Sequence, residues 1–281
     1  MGSKFITPGQ IEGFGRHLRE EERSAATVEK YLRALRQFAL FIDGAALDKA
    51  GVTRWKEHLL GQGYSPATVN GKLTALSRFL TFCGRTDLLP RHVRVQRRMF
   101  REDRRELSRE EYLRLCAAAR ARGKGRLALV METICATGIR VSEVAYITLE
   151  AVRRGRAQIA LKGKIRTILL PGKLCRKLLQ YARKEKITSG ELFLTRSGRP
   201  LSRKQIWAEM KGMCRAAGVE ESKVFPHNLR HLFARCFYRV CRDVAKLADV
   251  LGHASIETTR IYLISTGREH AKDLDRLRLL L

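Results

Sequence analysis

Between residues 91 and 105 the chain stops behaving like the segments on either side of it. RHVRVQRRMFREDRR carries seven arginines against two acids, a local charge of +5 before His92 is counted, and its apolar residues lose any regular period. A stretch with no face to bury does not belong inside a core. The chain therefore reads as two bodies joined there: a domain over residues 1–90, a basic linker over 91–106, and a second domain over 107–281. At 281 residues and 44% hydrophobic content there is enough material for a core in each. The linker itself reads either as solvated surface or as a basic strap lying along a phosphate backbone.

The first domain is helical. Segment 24–42 places Val28, Tyr31, Leu32, Leu35, Phe38 and Ile42 on one stripe, and segment 65–83 does the same with Val69, Leu73, Leu76 and Leu80. Ser65-Pro66 supplies a capping hydroxyl followed by a first-turn proline. At an offset of 41 the two segments share Ser24/Ser65, Ala26/Ala67, Thr27/Thr68, Val28/Val69, Leu32/Leu73, Ala34/Ala75, Leu35/Leu76, Phe38/Phe79 and Phe41/Phe82. Two readings stand: a duplicated helical pair, or two helices with a common start signal and apolar stripe.

The second domain opens on a capping box, Ser108 with Glu111, and helices run on to about Leu149. Residues 156–161 and 166–171 flank Lys162-Gly-Lys-Ile165 as a β-hairpin, 191–195 reads as a third strand, and from Ser202 the pattern is helical again. The fold class expected is mainly α with a small antiparallel β-sheet.

Charge narrows the function. Lys and Arg number 56 against 28 Asp and Glu, a formal +28 with a pI of about 10.6, which points to a polyanionic partner, nucleic acid first. A membrane surface fits less well, because the charge is spread along the whole chain with no lipidation signal. There is no apolar run of about 18 residues, and the N-terminus lacks a signal-peptide core. The seven cysteines, with no C-x-x-C among them, read as buried free thiols in a reducing cytoplasm. No metal-ligand cluster stands out.

Within that basic chain a few residues carry chemistry as a set. His227 and Arg230, three apart just after Pro226, point the same way on a helix and can grip one phosphate, aided by the helix N-terminus. His231 lies about 100° round the helix from Arg230 and is expected to face elsewhere. Arg140 follows Thr137-Gly138 at a turn into a helix; its fork suits two phosphate oxygens, and Glu143 reads either as a partner that holds its geometry or as helix surface. Lys162, with Lys164 as rival, offers a mobile ammonium able to protonate a leaving oxygen. His253 follows Leu251-Gly252, nine residues before Tyr262. Taken alone, Tyr262 is an ordinary core tyrosine. As a nucleophile, with a pKa near 10, it needs a charge-neutralised phosphate and a proton acceptor.

The run T-G-I-R-V-S-E, K-G-K-x-R, P-H-x-L-R-H and L-G-H-x-S-x-x-T-T-x-x-Y, within residues 107–265, closely resembles the tyrosine recombinase (integrase) family, nearest to its two-domain Xer-like and mobile-element members. The first 90 residues resemble that family's helical core-binding, SAM-like domain. Two details depart from the usual pattern. The hairpin is one residue shorter than K-G-x-K-x-R, and Tyr262 is followed by Leu-Ile-Ser rather than by x-His.

The resemblance implies that Arg140, Lys162, His227, Arg230 and His253 surround a scissile phosphate and that Tyr262 attacks it. It favours Lys162 over Lys164. It further implies a C-shaped clamp on double-stranded DNA with inverted-repeat core sites. Strand exchange would run through a 3′-phosphotyrosyl link and a Holliday junction, without ATP, Mg²⁺ or any cofactor, in the cytoplasm at the nucleoid. The tail, residues 271–281, with Leu274, Leu277 and Leu281 on one stripe, would join a homotetramer on DNA. The biological role would be chromosome dimer resolution or integration and excision of mobile DNA. The competing functions are a non-catalytic DNA-binding regulator and a type IB topoisomerase-like relaxing enzyme.

Overall fold

The computed structural model describes residues 5–95, 106–161, 164–195, 197–253, 255–260 and 262. The chain divides into two compact units, residues 1–97 and 98–281.

The first unit is built from α1 (Pro8–Glu20), α2 (Ala25–Ile42), α3 (Lys49–Gly61) and α4 (Pro66–Phe82). Each start is set by a side chain that accepts a first-turn N–H: Thr7 from Gln10, Ser24 from Thr27, Asp48 from Gly51 and Ser65 from Thr68. The 41-residue offset between α2 and α4 extends to the helices before them. The caps Thr7 and Asp48 are 41 apart, as are both ends of α1 and α3. Ile11/Val52, Phe14/Trp55 and Leu18/Leu59 are buried at equivalent positions, and so are Leu32/Leu73, Leu35/Leu76 and Phe38/Phe79. A start signal shared by two helices does not account for the second pair; a repeated helical pair does. Its core is aromatic, with Phe38 against Trp55 at 4.9 Å and Phe14 edge-on to Phe79 at 5.6 Å between ring centroids. The Asn70 carboxamide pins the start of the arginine-rich stretch to α4: it donates to the Val93 carbonyl at 2.9 Å and accepts the Val93 N–H at 2.8 Å.

The second unit has α5 (Arg109–Ala121) and α6 (Gly125–Thr137) at its centre, followed by a 3₁₀ turn (Val141–Tyr146) and α7 (Leu149–Arg153). Next come β1 (Arg156–Leu161) and β2 (Lys164–Leu169), then α8 (Gly172–Lys184), α9 (Arg203–Lys211), α10 (Cys214–Ala217), α11 (Pro226–Cys241), α12 (Val244–Leu251) and α13 (Ile256–Arg260). The Ser108–Glu111 capping box closes the start of α5 as expected. α6 buries Leu127, Val130, Met131, Ile134 and Thr137, which makes it the pillar between α5 and α11. The strands pair antiparallel from Arg156↔Leu169 to Leu161↔Lys164, so β2 begins two residues earlier than the apolar run indicated. Alternation turns Ala157, Ile159 and Ile168 into the core and leaves Ile165, Thr167 and Leu169 outside.

The expected third strand, 191–195, is not one. Glu191 bridges only to Thr148 and Leu194 only to Pro200, because the segment crosses the end of α7 and turns back on itself. The Thr195 N–H donates to the Arg199 carbonyl at 2.7 Å and its hydroxyl accepts the Arg199 N–H, so the segment pairs with its own return and not with the β1–β2 sheet. The helix expected after the Arg140 turn is a 3₁₀ turn, Val141–Tyr146. Among the described residues no helix is long and apolar enough to cross a membrane. All seven cysteines are free, and burial pushes Cys116 up to about 11 and Cys135 up to about 12, which makes both poor nucleophiles. The proposed tail helix, residues 271–281, lies outside the described residues, as does 96–105 of the linker.

Candidate active site

Two tight glycine turns shape the site. Gly138 ends α6 at φ 66°, and a Cβ there would sit 2.4 Å from Phe233 Cδ1 and 2.9 Å from Leu251 Cδ2. Gly252 ends α12 at φ 62°, where a Cβ would meet Arg166 Cδ at 2.3 Å and Nε at 2.6 Å. Both positions need the left-handed backbone and the missing side chain. The first turn delivers Arg140, the second His253.

Arg140 stands at the entrance of the 3₁₀ turn. Its N–H donates to Glu143 Oε2 and its guanidinium to Oε1, each at 2.8 Å. The Arg140 side chain is 44% exposed while that of Glu143 is 2% exposed. A buried carboxylate thus orients a guanidinium whose remaining donors stay open to a ligand. Arg166, inward-facing on β2, shares the carboxylate at 3.1 and 3.2 Å.

α11 starts at Pro226 after an extended Phe225, and its first two turns present His227, Arg230 and His231. Arg230 is 1% exposed. It donates to the Gly138 carbonyl at 2.5 Å, the Leu251 carbonyl at 2.9 Å and His253 Nε2 at 2.8 Å. Its Nε–H is buried with no partner among the described residues. Burial pulls its pKa down, and a hydrogen bond with the Tyr262 hydroxyl counters this by favouring the charged form. Arg230 therefore ties both glycine turns and His253 to one guanidinium.

Because Arg230 donates to Nε2, that nitrogen carries the lone pair, and Nδ1–H donates to the buried Thr259 hydroxyl at 2.8 Å. Burial, then the charges of Arg230, Arg140, Arg166 and His227, push His253 down to about 4. It is neutral near pH 7, as an acceptor of the Arg230 bond must be.

Tyr262 sits on the turn after α13, its N–H bonded to the Thr259 carbonyl at 3.0 Å. It is 5% exposed and packs on Ala234, Leu247 and Leu251, so it has the burial of a core tyrosine as well. Three imidazoles surround its ring: His231 at 4.4 Å, His253 stacked at 5.5 Å and His227 at 5.7 Å between centroids. The structure thus brings Arg140, His227, Arg230, His253 and Tyr262 together; Lys162 lies outside the described residues, and for Lys164 only the backbone is described. His231 does not face elsewhere. It is four residues from His227, and that spacing returns it to the same face; the helical angle from Arg230 alone was misleading. Arg166 and Glu143 complete the constellation. The open side is a cleft of about 430 Å³ lined by Arg140, Ser142, Arg203, Trp207, His227 and Arg230. Two guanidiniums at such a cleft suit one tetrahedral oxyanion, with His253 and Tyr262 packed behind Arg230 and His227.

The profile of the phage integrase family matches residues 105–268, and that of the phage integrase N-terminal SAM-like domain matches residues 11–86. A tyrosine recombinase XerA from Pyrococcus furiosus is 28% identical, with the alignment covering 100% of this chain and 98% of the relative. The fold is that of a XerH site-specific recombinase bound to its difH substrate (TM-score 0.69, 20% identity, 95% and 84% of the two chains covered). A lambda integrase tetramer on a Holliday junction is equally similar (TM-score 0.71, 18% identity, 93% and 78% covered).

Proposed function

Because this chain belongs to the phage integrase family and is a tyrosine recombinase that cuts and rejoins DNA at specific sites, we propose that Tyr262 is its nucleophile and that Arg140 and Arg230 hold the scissile phosphate. The observation that carries the assignment is that Arg230 bonds both glycine turns and His253 at once, with the Tyr262 ring stacked on that histidine. Arg140 and Arg230 neutralise the non-bridging oxygens, so the tyrosine oxygen can approach phosphorus. The new P–O bond to Tyr262 forms as the bond to the 5′ oxygen breaks, leaving a 3′-phosphotyrosyl link and a 5′-hydroxyl. His227 donates to the phosphate, and an imidazole of α11 beside the ring takes up the tyrosine proton, both nitrogens of His253 being already bonded. Lys162 gives its proton to the leaving 5′ oxygen. A 5′-hydroxyl from the partner strand reverses the step. The phosphodiester energy stays in the covalent link, so strands rejoin without ATP, and the arginines supply the charge neutralisation that a metal ion would otherwise bring.

Residues 1–90 act as the core-binding domain and 91–106 as a basic linker that follows the phosphate backbone. The DNA target is a pair of inverted repeats, and the working assembly is a homotetramer joined through residues after 268. The lambda integrase tetramer on its junction supports that reading by likeness of fold. Incubation with two duplexes that carry the site to which the protein links covalently should yield four-way junctions on a native gel. Relaxation of supercoils with no junction would contradict strand exchange.

A further inference from the structure

Arg166 belongs to a motif that the catalytic assignment leaves without a task. It lies on the inward face of β2, with its side chain 13% exposed. One end of its guanidinium donates to both Glu143 oxygens, at 3.2 and 3.1 Å, and the other donates to the Val250 carbonyl at 2.7 Å. Its Cδ, Nε and Cζ lie flat across Gly252, so close that no Cβ fits between. Glu143 in turn fixes Arg140, and Gly252 immediately precedes His253. A single planar group therefore spans from the carboxylate that aims Arg140 to the turn whose histidine is bonded to Arg230. Lysine cannot replace it, because one ammonium does not present a rigid fork to two acceptors on opposite sides.

We infer that Arg166 is a positioning residue that sets the His253 turn against the Glu143–Arg140 pair, so that Arg140 and Arg230, the latter bonded to His253, meet one phosphate. It acts through these residues and does not touch DNA. The glycine at 252 is the other half of the device: it is the surface on which the guanidinium rests. The inference rests on the catalytic reading above for what is being positioned, and on the contacts alone for what does the positioning.

The charged groups around His253 are Arg230 and His227 from α11, Arg140 from the 3₁₀ turn and Arg166 from β2, with the Tyr262 ring stacked on it. Arg166→Met and Arg166→Lys, made in the full chain, test the idea in two ways. In single-turnover cleavage of a duplex carrying the covalently captured site, both variants should be about 100-fold slower, the scale of a misplacement near 1 Å, with unchanged DNA affinity. A methylphosphonate at the scissile position should not restore them. Rescue by that neutral analogue would mean that Arg166 itself neutralises the phosphate and would overturn the inference. The second arm needs no reaction. In an NMR titration of the His253 imidazole, the wild type should titrate at about 4. Arg166→Met should titrate closer to the ordinary histidine value, because a neighbouring positive charge is gone and the turn is released. The lysine variant, which keeps the charge and the Glu143 pair, guards against simple misfolding and should still broaden or shift the His253 signal. Identical His253 titrations in all three proteins would sink the idea. A wild type that forms no adduct while His253 shifts as described would fault the catalytic reading and leave Arg166 in its positioning role.

Discussion

Arg230→Ala is expected to reduce formation of the covalent protein–DNA link by at least about 10³-fold. Loss of a single preorganised donor at a developing oxyanion costs about 10²–10³, and here one truncation removes more than one donor. The guanidinium also bonds the Gly138 carbonyl, the Leu251 carbonyl and His253, so the turns that deliver Arg140 and His253 lose their common tie. Arg230→Lys keeps a positive charge but cannot reach two carbonyls and an imidazole from one nitrogen. It should fold and bind DNA, yet cleave almost as poorly as the alanine variant. Single-turnover adduct assays with equilibrium DNA binding in parallel check this. A lysine variant within tenfold of wild type would show that charge alone suffices and that the bonded geometry is incidental.

The second large effect is expected at Glu143. Its carboxylate is buried between Arg140 and Arg166 and also accepts the Arg140 N–H. Glu143→Ala leaves Arg166, itself mostly buried, with an uncompensated charge. Breaking a buried pair in this way costs about 3–5 kcal/mol, which for a unit of this size lowers Tm by roughly 10 °C. Cleavage should fall by about 100-fold at a temperature where the variant is still folded, because Arg140 loses its aim. Glu143→Gln keeps the shape and can still accept from both guanidiniums, so its thermal loss should be smaller than that of the alanine variant. Calorimetric melting of the three proteins decides; an unchanged Tm for Glu143→Ala would mean that the ion-pair network contributes nothing net.

These residues mark how far the sequence could be read. The helix starts were legible because capping is local: Ser65-Pro66, and Ser108 with Glu111, announce themselves within four residues. The hairpin was legible from two apolar runs around a glycine, although β2 starts at Lys164 because backbone pairing continues past the apolar stretch. Segment 191–195 looked like a strand because β-branching and apolar content do not report whether a partner edge is free; the chain turns back at Thr195 instead. Arg140, His227, Arg230, His253 and Tyr262 were legible as a set, and Glu143 as the partner three residues from Arg140. Arg166 and Gly252 were not, since β2 and the end of α12 meet only in the folded chain. The four-residue spacing from His227 brings His231 onto the same face, which its angle from Arg230 does not show. Tyr262 shows why single residues mislead, for it is buried among Leu247, Leu251 and Ala234 and also stands in the site.

The central claim is that Tyr262 joins itself to DNA. The direct measurement is to incubate the protein with DNA of its source organism in EDTA, stop with detergent, and recover and sequence the DNA covalently attached to it, with Tyr262→Phe treated identically. The account predicts adducts at one short inverted-repeat site with the wild type, and none with the phenylalanine variant although it still binds DNA. Adducts undiminished in Tyr262→Phe, or tight DNA binding by the wild type with no adduct at all, would contradict it.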